Sequence, residues 1–419
     1  MNKKLLFQFT MASLIISSLF LLVVTSAAAQ TPTVASETPP AISAVATAMP
    51  TITAQAADAA LATTGQSLCL PYLSEIQSMS CLMAGPAQSL AVLAQKEITF
   101  PPQPLTVVRP PLDLASVPFS YAKITDTTDP IPLYASVADA QANNVKETWP
   151  ASKFKYVALN QKQVMSDGSV YYQIANEDWI NANVISKVSA TYFQGFIINQ
   201  FPSVSFGWVL QSEIPSFTGP GGSSPKTGKV YNRLDLVRCY DSKIVNNLEW
   251  VMVGPDEWIQ HLYLACVINN PTPPAGVTNG RWIEVNLYQQ VMTVYDNSKM
   301  VFATLVGSGE PPFYTQPGTF KIYKKEEHDY MTGSFEADHS DFYYIEQVPF
   351  IMYYDGSRAL HGAYWNNYLG YPGSHGCVNL SVADAHWLYN WAKEGDTVYV
   401  WDPSGKTPTD ASLYGGGAF

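Results

Sequence analysis

Charge is scarce in this chain. Lys, Arg, Asp and Glu make up 14% of its 419 residues, and 23 basic side chains against 34 acidic ones leave a formal net charge of −11. Nucleic-acid binding draws its affinity from basic side chains that neutralise phosphates, so this balance argues against a nucleic-acid partner. Cysteine and histidine are few as well, 5 and 6. They form neither a Cys-x-x-Cys pair nor a His-Glu-x-x-His run, which removes the commonest metal-site signatures. What the chain does have is apolar bulk: 47% apolar and 13% aromatic residues, with 10 Trp and 25 Tyr, ample for real cores. Its length exceeds that of a usual single domain, so two or three folded units with connecting segments are expected.

The N-terminus, "MNKKLLFQFTMASLIISSLFLLVVTSAAAQ", places Lys3 and Lys4 before an apolar stretch running to about Val24 and small residues at Ala27, Ala28 and Ala29. This pattern predicts an export signal over 1–29. From Leu5 to Ala29 the segment is nearly long enough to span a bilayer, so an uncleaved membrane anchor is the alternative. No cysteine sits at the cleavage point, which argues against a lipoprotein. Export would put the cysteines in an oxidising compartment, where disulfides persist. Cys69 with Cys81 and Cys239 with Cys266 are the disulfide candidates, leaving Cys377 alone. Free buried thiols are the competing reading, because sequence does not set connectivity.

Residues 30–66 are rich in Ala, Thr and Pro and nearly free of charge, so they cannot bury enough surface to fold alone. The stretch to 115 adds a helix-like run, "AQSLAVLAQKEI", and the Pro-rich "FPPQPLTVVRPPLDL"; 30–115 is read as stalk and spacer. From 116 to 275 short β-rich runs alternate with polar turns. "GSVYYQIANEDWINANVI" and "LEWVMVGPDEWIQHLYLACVI" share a strand, a turn leading into Trp179 or Trp258, and a β-branched strand, so two small β-barrel modules are expected, 116–200 and 201–275. They resemble bacterial SH3-like domains. Their role is either spacing or the binding of glycan or peptide.

After the linker "NNPTPPAGVTNG", "RWIEVNLYQQVMTVYDNSKMVFATLVGSG" alternates as a meander does, with Ile283, Val285 and Leu287 on one face and "YDNSK" as a hairpin turn. Ser381 reads as the N-cap of a helix with Asp384 at its third position, Gly395 as its end, and "TVYVW" as a closing strand. The tail, 404–419, reads as loose.

"GYPGSHGCVN" sets Cys377 in a glycine-rich turn sixteen residues after His361. A thiol becomes a useful nucleophile when a histidine takes its proton or backbone N–H groups stabilise the thiolate, and Gly373 and Gly376 permit a turn tight enough for amides to converge. "HGAYWNNYLGYPGSHGCVN" is similar to the signature of the YkuD-type L,D-transpeptidase catalytic domain, and the resemblance covers roughly 280–403. It implies a mainly β fold with one main helix after the cysteine. It further implies an exported, cell-wall-associated acyltransferase without a cofactor, acting as a monomer on peptidoglycan stem tetrapeptides. Cys377 would be acylated as D-Ala leaves, and an amine of a stem or a protein would then accept the acyl group. By the same resemblance His361 is the base, oriented by the Gly362 carbonyl. The amides of His375, Gly376 and Cys377 form an oxyanion hole, and Ser374, His375 and Asn379 shape the loop. Trp365 fits an aromatic wall position of the family; the lid residues Tyr330, Met331, Tyr343, Phe335 and Tyr344 either grip a peptide stem or belong to a surface excursion whose aromatics pack on the domain's own core. "TQPGTF" departs from the family's Thr-Pro-x-Gly-x-Phe by moving the proline one place.

Four alternatives stand beside this. Water in place of an amine would make the same site an L,D-carboxypeptidase. A relic domain would make a non-catalytic wall-binding protein, but no signature residue is missing. A zinc site of His361, His375 and Cys377 has ligand types of the right kind and no supporting motif. A cysteine peptidase of the NlpC/P60 kind requires the cysteine to precede its histidine, and only His386 follows Cys377. His386, His261, His328 and His339 are read as structural or surface residues.

Overall fold

The computed structural model describes residues 67–68, 81–82, 87–100, 102, 105–125, 130–150, 154–334 and 342–414. The expected signal segment, the whole 30–66 stalk, Phe335, His339 and the Cys69/Cys81 pair lie outside the residues whose side chains are described. Among the described residues no helix is long and apolar enough to cross a membrane. All of them fall within one unit, Thr63–Phe419.

The alternating stretch at 282–305 folds as a meander of three antiparallel strands, Trp282–Asn286, Val291–Asp296 and Lys299–Leu305. Its second turn places Asn297 and Ser298 at φ +51° and +58°, which matches the right-handed twist of a hairpin. Thr397–Trp401 joins in parallel beside Trp282–Asn286, and Gly318–Lys321 closes that edge. On the other edge, Phe196–Ile198 pairs with Lys299–Leu305, and Val107–Val108 pairs with Phe196–Ile198. The Pro-rich run expected as part of a spacer thus contributes a short strand to the sheet.

One face of the meander carries Ile283, Val285, Met292 and Phe302 into a core shared with Ile351, Leu360 and Val378 of a second sheet. The other face is not left to solvent. Trp282 and Tyr295 stack there, ring centroids 4.3 Å apart, in a core with Phe206, Trp208, Ala265 and Val267 from the 201–275 stretch. Both faces are therefore apolar, and each fully buried large side chain contributes about 1.5–3 kcal/mol.

The second sheet is built on the lid segment, a long hairpin of Lys324–Gly333 with Tyr343–Asp355. Arg358–Gly362 pairs antiparallel with the latter, and Val378–Leu380 pairs in parallel with Arg358–Gly362. Strand Phe154–Val164 attaches to the hairpin in parallel, Phe154 opposite Tyr343, and brings in the strands of the 116–200 stretch. Hydrogen bonding and core packing cross the expected boundaries at 200/201 and 275/280.

The two repeat stretches adopt the same element string. In the first, Val170–Ile174, Trp179–Asn181, the turn Ala182–Val184 and Ile185–Val188 follow one another, and Ile185–Val188 pairs with Ser120–Ile124. The second repeats this with Leu248–Gly254, Glu257–Gln260, His261–Tyr263 and Leu264–Val267, the last pairing with Ser205–Val209. Cys239 and Cys266 form a disulfide within the second stretch.

The helix spans Val382–Trp391, and the Ser381 side chain accepts from the Asp384 N–H as expected of an N-cap. The Asp384 carboxylate instead turns inward, accepting from Gly195 N–H at 3.0 Å and Thr304 Oγ1–H at 2.6 Å. Burial pushes its carboxyl up to about 6. Gly395 does not end the helix: the last helical residue is Trp391, and Gly395, at φ +90°, serves the turn into the closing strand. The tail also differs from expectation, because Ala411–Tyr414 forms a turn whose Tyr414 is buried.

Candidate active site

Parallel pairing sets His361 opposite Asn379, so the residue just before the second strand, Cys377, lies beside the end of the histidine strand. Ser374 shapes the turn between them. Its hydroxyl donates to the Cys377 carbonyl at 2.6 Å and accepts from Gly376 N–H at 3.1 Å. Gly376 sits at φ +113°, and a Cβ there would lie 3.0 Å from Arg358 Nε, so the position requires glycine. From below, Thr315 Oγ1 donates to the Gly376 carbonyl at 2.9 Å and accepts from Gly309 N–H at 2.8 Å. The shifted proline of "TQPGTF" therefore leaves the threonine bonded to the cysteine loop.

His361 is 1% exposed. Its Nδ1 lies 3.3 Å from the Gly362 carbonyl, which can only accept, so the proton sits on Nδ1 and Nε2 carries the lone pair. Burial pushes the imidazole down to about 4, the carbonyl opposing it. At neutral pH the ring is an uncharged base.

The Cys377 thiol is pushed above its ordinary value by burial, against the Ala359 backbone N–H and the Arg358 guanidinium, which favour the thiolate. The resting pair is a thiol beside a neutral imidazole. A standing thiolate, as the sequence suggests, is not its ground state. The oxyanion cradle also differs from expectation: of the three amides assigned to it, that of Gly376 is committed to Ser374 Oγ.

A narrow cavity of about 40 Å³ is lined by Cys377, His361, Gly373, Ser374, His375, Asn379, Trp365, Met331 and Tyr343, all named from sequence. Tyr343 stacks on His375 with ring centroids 5.2 Å apart, and Trp365 lies 5.6 Å from His361. Gly362 acts from behind through its carbonyl. Tyr330 does not join them. It is 61% exposed and lines a different depression beside Asn176 and Glu346, because strand neighbours alternate and Met331 takes the inward position. Tyr344 packs on Trp149 at 4.7 Å.

Sequence reasoning missed Phe154, Ile345, Ser357 and Arg358, which complete the lining. Arg358 is the one permanent charge among these residues. It donates to Asp355 at 2.9 Å and to the Tyr414 carbonyl at 3.2 Å, while its buried Nε has no partner. The signal was a lone charge opening the strand "RALHG" that carries His361. Phe154 offered none, since its place depends on a strand pairing from a distant part of the chain. Among the described residues no group of three or more His, Cys, Asp or Glu is placed to hold a metal ion.

Residues 280–400 match the family model described as YkuD, the L,D-transpeptidase catalytic domain. Several solved structures are similar over this part of the chain. An L,D-transpeptidase of Enterococcus faecium, crystallised as a cysteine-to-serine mutant, is 27% identical over 29% of this chain and 50% of its own, with a TM-score of 0.27. One from Stackebrandtia nassauensis is 30% identical over 32% of this chain and 59% of its own, with a TM-score of 0.25. The isolated catalytic domain of the E. faecium protein, acylated by ertapenem, is 29% identical over 30% of this chain and 100% of its own, with a TM-score of 0.27. The match thus spans half to three-fifths of the first two proteins' lengths. No curated protein matches. Residues 280–400 are an L,D-transpeptidase catalytic domain of the YkuD family, with the mainly β fold and the single helix after the cysteine that the motif implied.

Proposed function

We propose that the protein is an exported L,D-transpeptidase that cross-links peptidoglycan stems. The observation that carries this is a free cysteine and a neutral histidine, its tautomer set by the Gly362 carbonyl, lining one pocket of a YkuD domain. Cys377 Sγ attacks the carbonyl carbon of the stem's third residue while His361 Nε2 takes the thiol proton. The Cys377 amide stabilises the oxyanion; removing one such donor typically costs about 3 kcal/mol of transition-state stabilisation. Collapse breaks the peptide bond, and D-Ala leaves with the proton from His361. The thioester is then attacked by an acceptor amine, whose proton passes through His361 back to the Cys377 thiol. Ertapenem acylates the E. faecium domain, and a carbapenem is expected to acylate Cys377 by the same attack.

The test uses the exported protein and its Cys377→Ala variant with defined disaccharide tetrapeptides, products being read by mass spectrometry. Cysteine-dependent loss of D-Ala with dimer formation is the expected result. Tripeptide without dimers would mean hydrolysis, and turnover independent of Cys377 would sink the mechanism.

A further inference from the structure

A second cavity, about 400 Å³, lies where the 201–275 stretch meets the catalytic domain. That volume is within the range of about 300–1,000 Å³ in which small-molecule sites fall, and junctions between folded units are where such sites concentrate. His261 from one side and Tyr288 from the other form an aromatic wall, stacked with ring centroids 4.4 Å apart and 5° between planes. The Tyr288 hydroxyl donates to Glu249 at 2.6 Å, which holds the ring in place. His261 Nε2 is buried and has no partner. Leu262 lies at the cavity as well, 57% exposed.

The lining carries charge of both signs and no excess of either. Asp402 and Lys406 contribute one of each sign. The Asp402 carboxylate already accepts from the amides and hydroxyls of Ser404 and Thr407 at 2.7–2.8 Å. A ligand of one charge would meet a like charge as well as an opposite one, and a wholly apolar ligand would leave the polar wall unpaired. A pyranose matches both features, having a C–H face for an aromatic ring and a rim of neutral donors and acceptors.

Position narrows the ligand further. Ser308 and Gly309 line this cavity, while Gly373 and Ser374 line the catalytic pocket. The Ser308 carbonyl accepts from Gly373 N–H at 2.8 Å and from Ser374 N–H at 3.1 Å, so a single backbone layer separates the two.

We propose that this cavity binds the sugar units of the glycan strand whose stems the catalytic pocket processes. The proposal rests on the transpeptidase reading for the identity of the polymer. Bound there, the strand would hold its stems at high local concentration near Cys377.

The experiment measures binding of peptide-free glycan chains, prepared by stripping stems from sacculi with an amidase, to the exported protein by calorimetry. Carbapenem acylation of the same sample is followed in parallel. Saturable glycan binding is expected, weakened at least tenfold by Tyr288→Ala and by Leu262→Glu and retained by Tyr288→Phe, which keeps the ring. Leu262→Glu alters an exposed side chain and keeps the test open if Tyr288→Ala does not fold. Absent binding, binding undiminished in folded Leu262→Glu protein, or binding of free stem peptide in place of glycan would each overturn the proposal. Acylation without glycan binding would overturn it and leave the transpeptidase reading standing; loss of acylation would strike that reading instead.

Discussion

Acidification separates a buried neutral base from an ordinary surface histidine. His361 is pushed down to about 4, against about 6.5 for a solvated imidazole; at about 1.4 kcal/mol per pH unit, burial favours the neutral ring by about 3 kcal/mol. At pH 5.5 roughly 97% of such a site remains able to accept a proton, whereas an unshifted histidine would retain about 9%. The rate of Cys377 acylation by a carbapenem, followed by intact-protein mass from pH 3.5 to 8, is therefore expected to hold nearly level to about pH 5. Its acid limb should be centred near 4. A midpoint near 6.5 in protein that is still folded would refute the assignment of a desolvated His361 as the base. Folding must be followed at each pH, because the same shift acts on stability. A histidine whose folded value is depressed leaves the unfolded chain binding the extra proton below about 6.5, so its contribution is lost as pH falls toward 4. Buried carboxylates oppose this, since Asp384 and Glu346 are both shifted upward by burial and favour the native state as they protonate.

Three further outcomes follow from particular side chains. Glu284, buried and pushed up to about 7, contributes stability that is present below about 4.5 and lost as pH rises through 7, about 3 kcal/mol in all; Glu284→Gln should therefore gain on the wild type in urea midpoint between pH 5 and 8, and a constant difference would count against it. Asp384→Ala leaves Gly195 N–H without its acceptor in the core and the Thr304 hydroxyl with only the Leu305 carbonyl at 3.3 Å, a loss of about 1–3 kcal/mol for the orphaned amide, so a denaturation midpoint equal to wild type would disprove the bonding described. Gly376→Ala must adopt φ +113° and press on Arg358; strain of about 1–3 kcal/mol in the cysteine loop is expected to slow acylation roughly tenfold or more, and a wild-type rate would show that the loop relaxes freely.

Much of the site was legible because its chemistry is local. His361 and Cys377 are close in sequence, each sits beside a glycine, and their residue types restrict what the turn can do. The meander and the helix cap were legible for a similar reason, since alternation and capping are set by neighbours along the chain. Arg358 was close enough to be seen but carried no motif. Tyr330 failed because alternation in the hairpin assigns inward and outward positions, and sequence does not say which neighbour turns inward.

By itself the sequence singled out Cys377 and His361 as candidate nucleophile and base, and showed the strand periodicity and the repeat within 116–275, all of which depend on short-range chemistry. Only the tertiary structure decided which surfaces cover the meander's second face. It brought Phe154 to the pocket through pairing with Tyr343 and gave the Asp384 carboxylate a partner at Gly195. It also set the protonation of the pair, because desolvation depends on everything packed around a group. Cys377 and His361 are thus a thiol and a free base at rest, a state that burial in the assembled fold imposes on them.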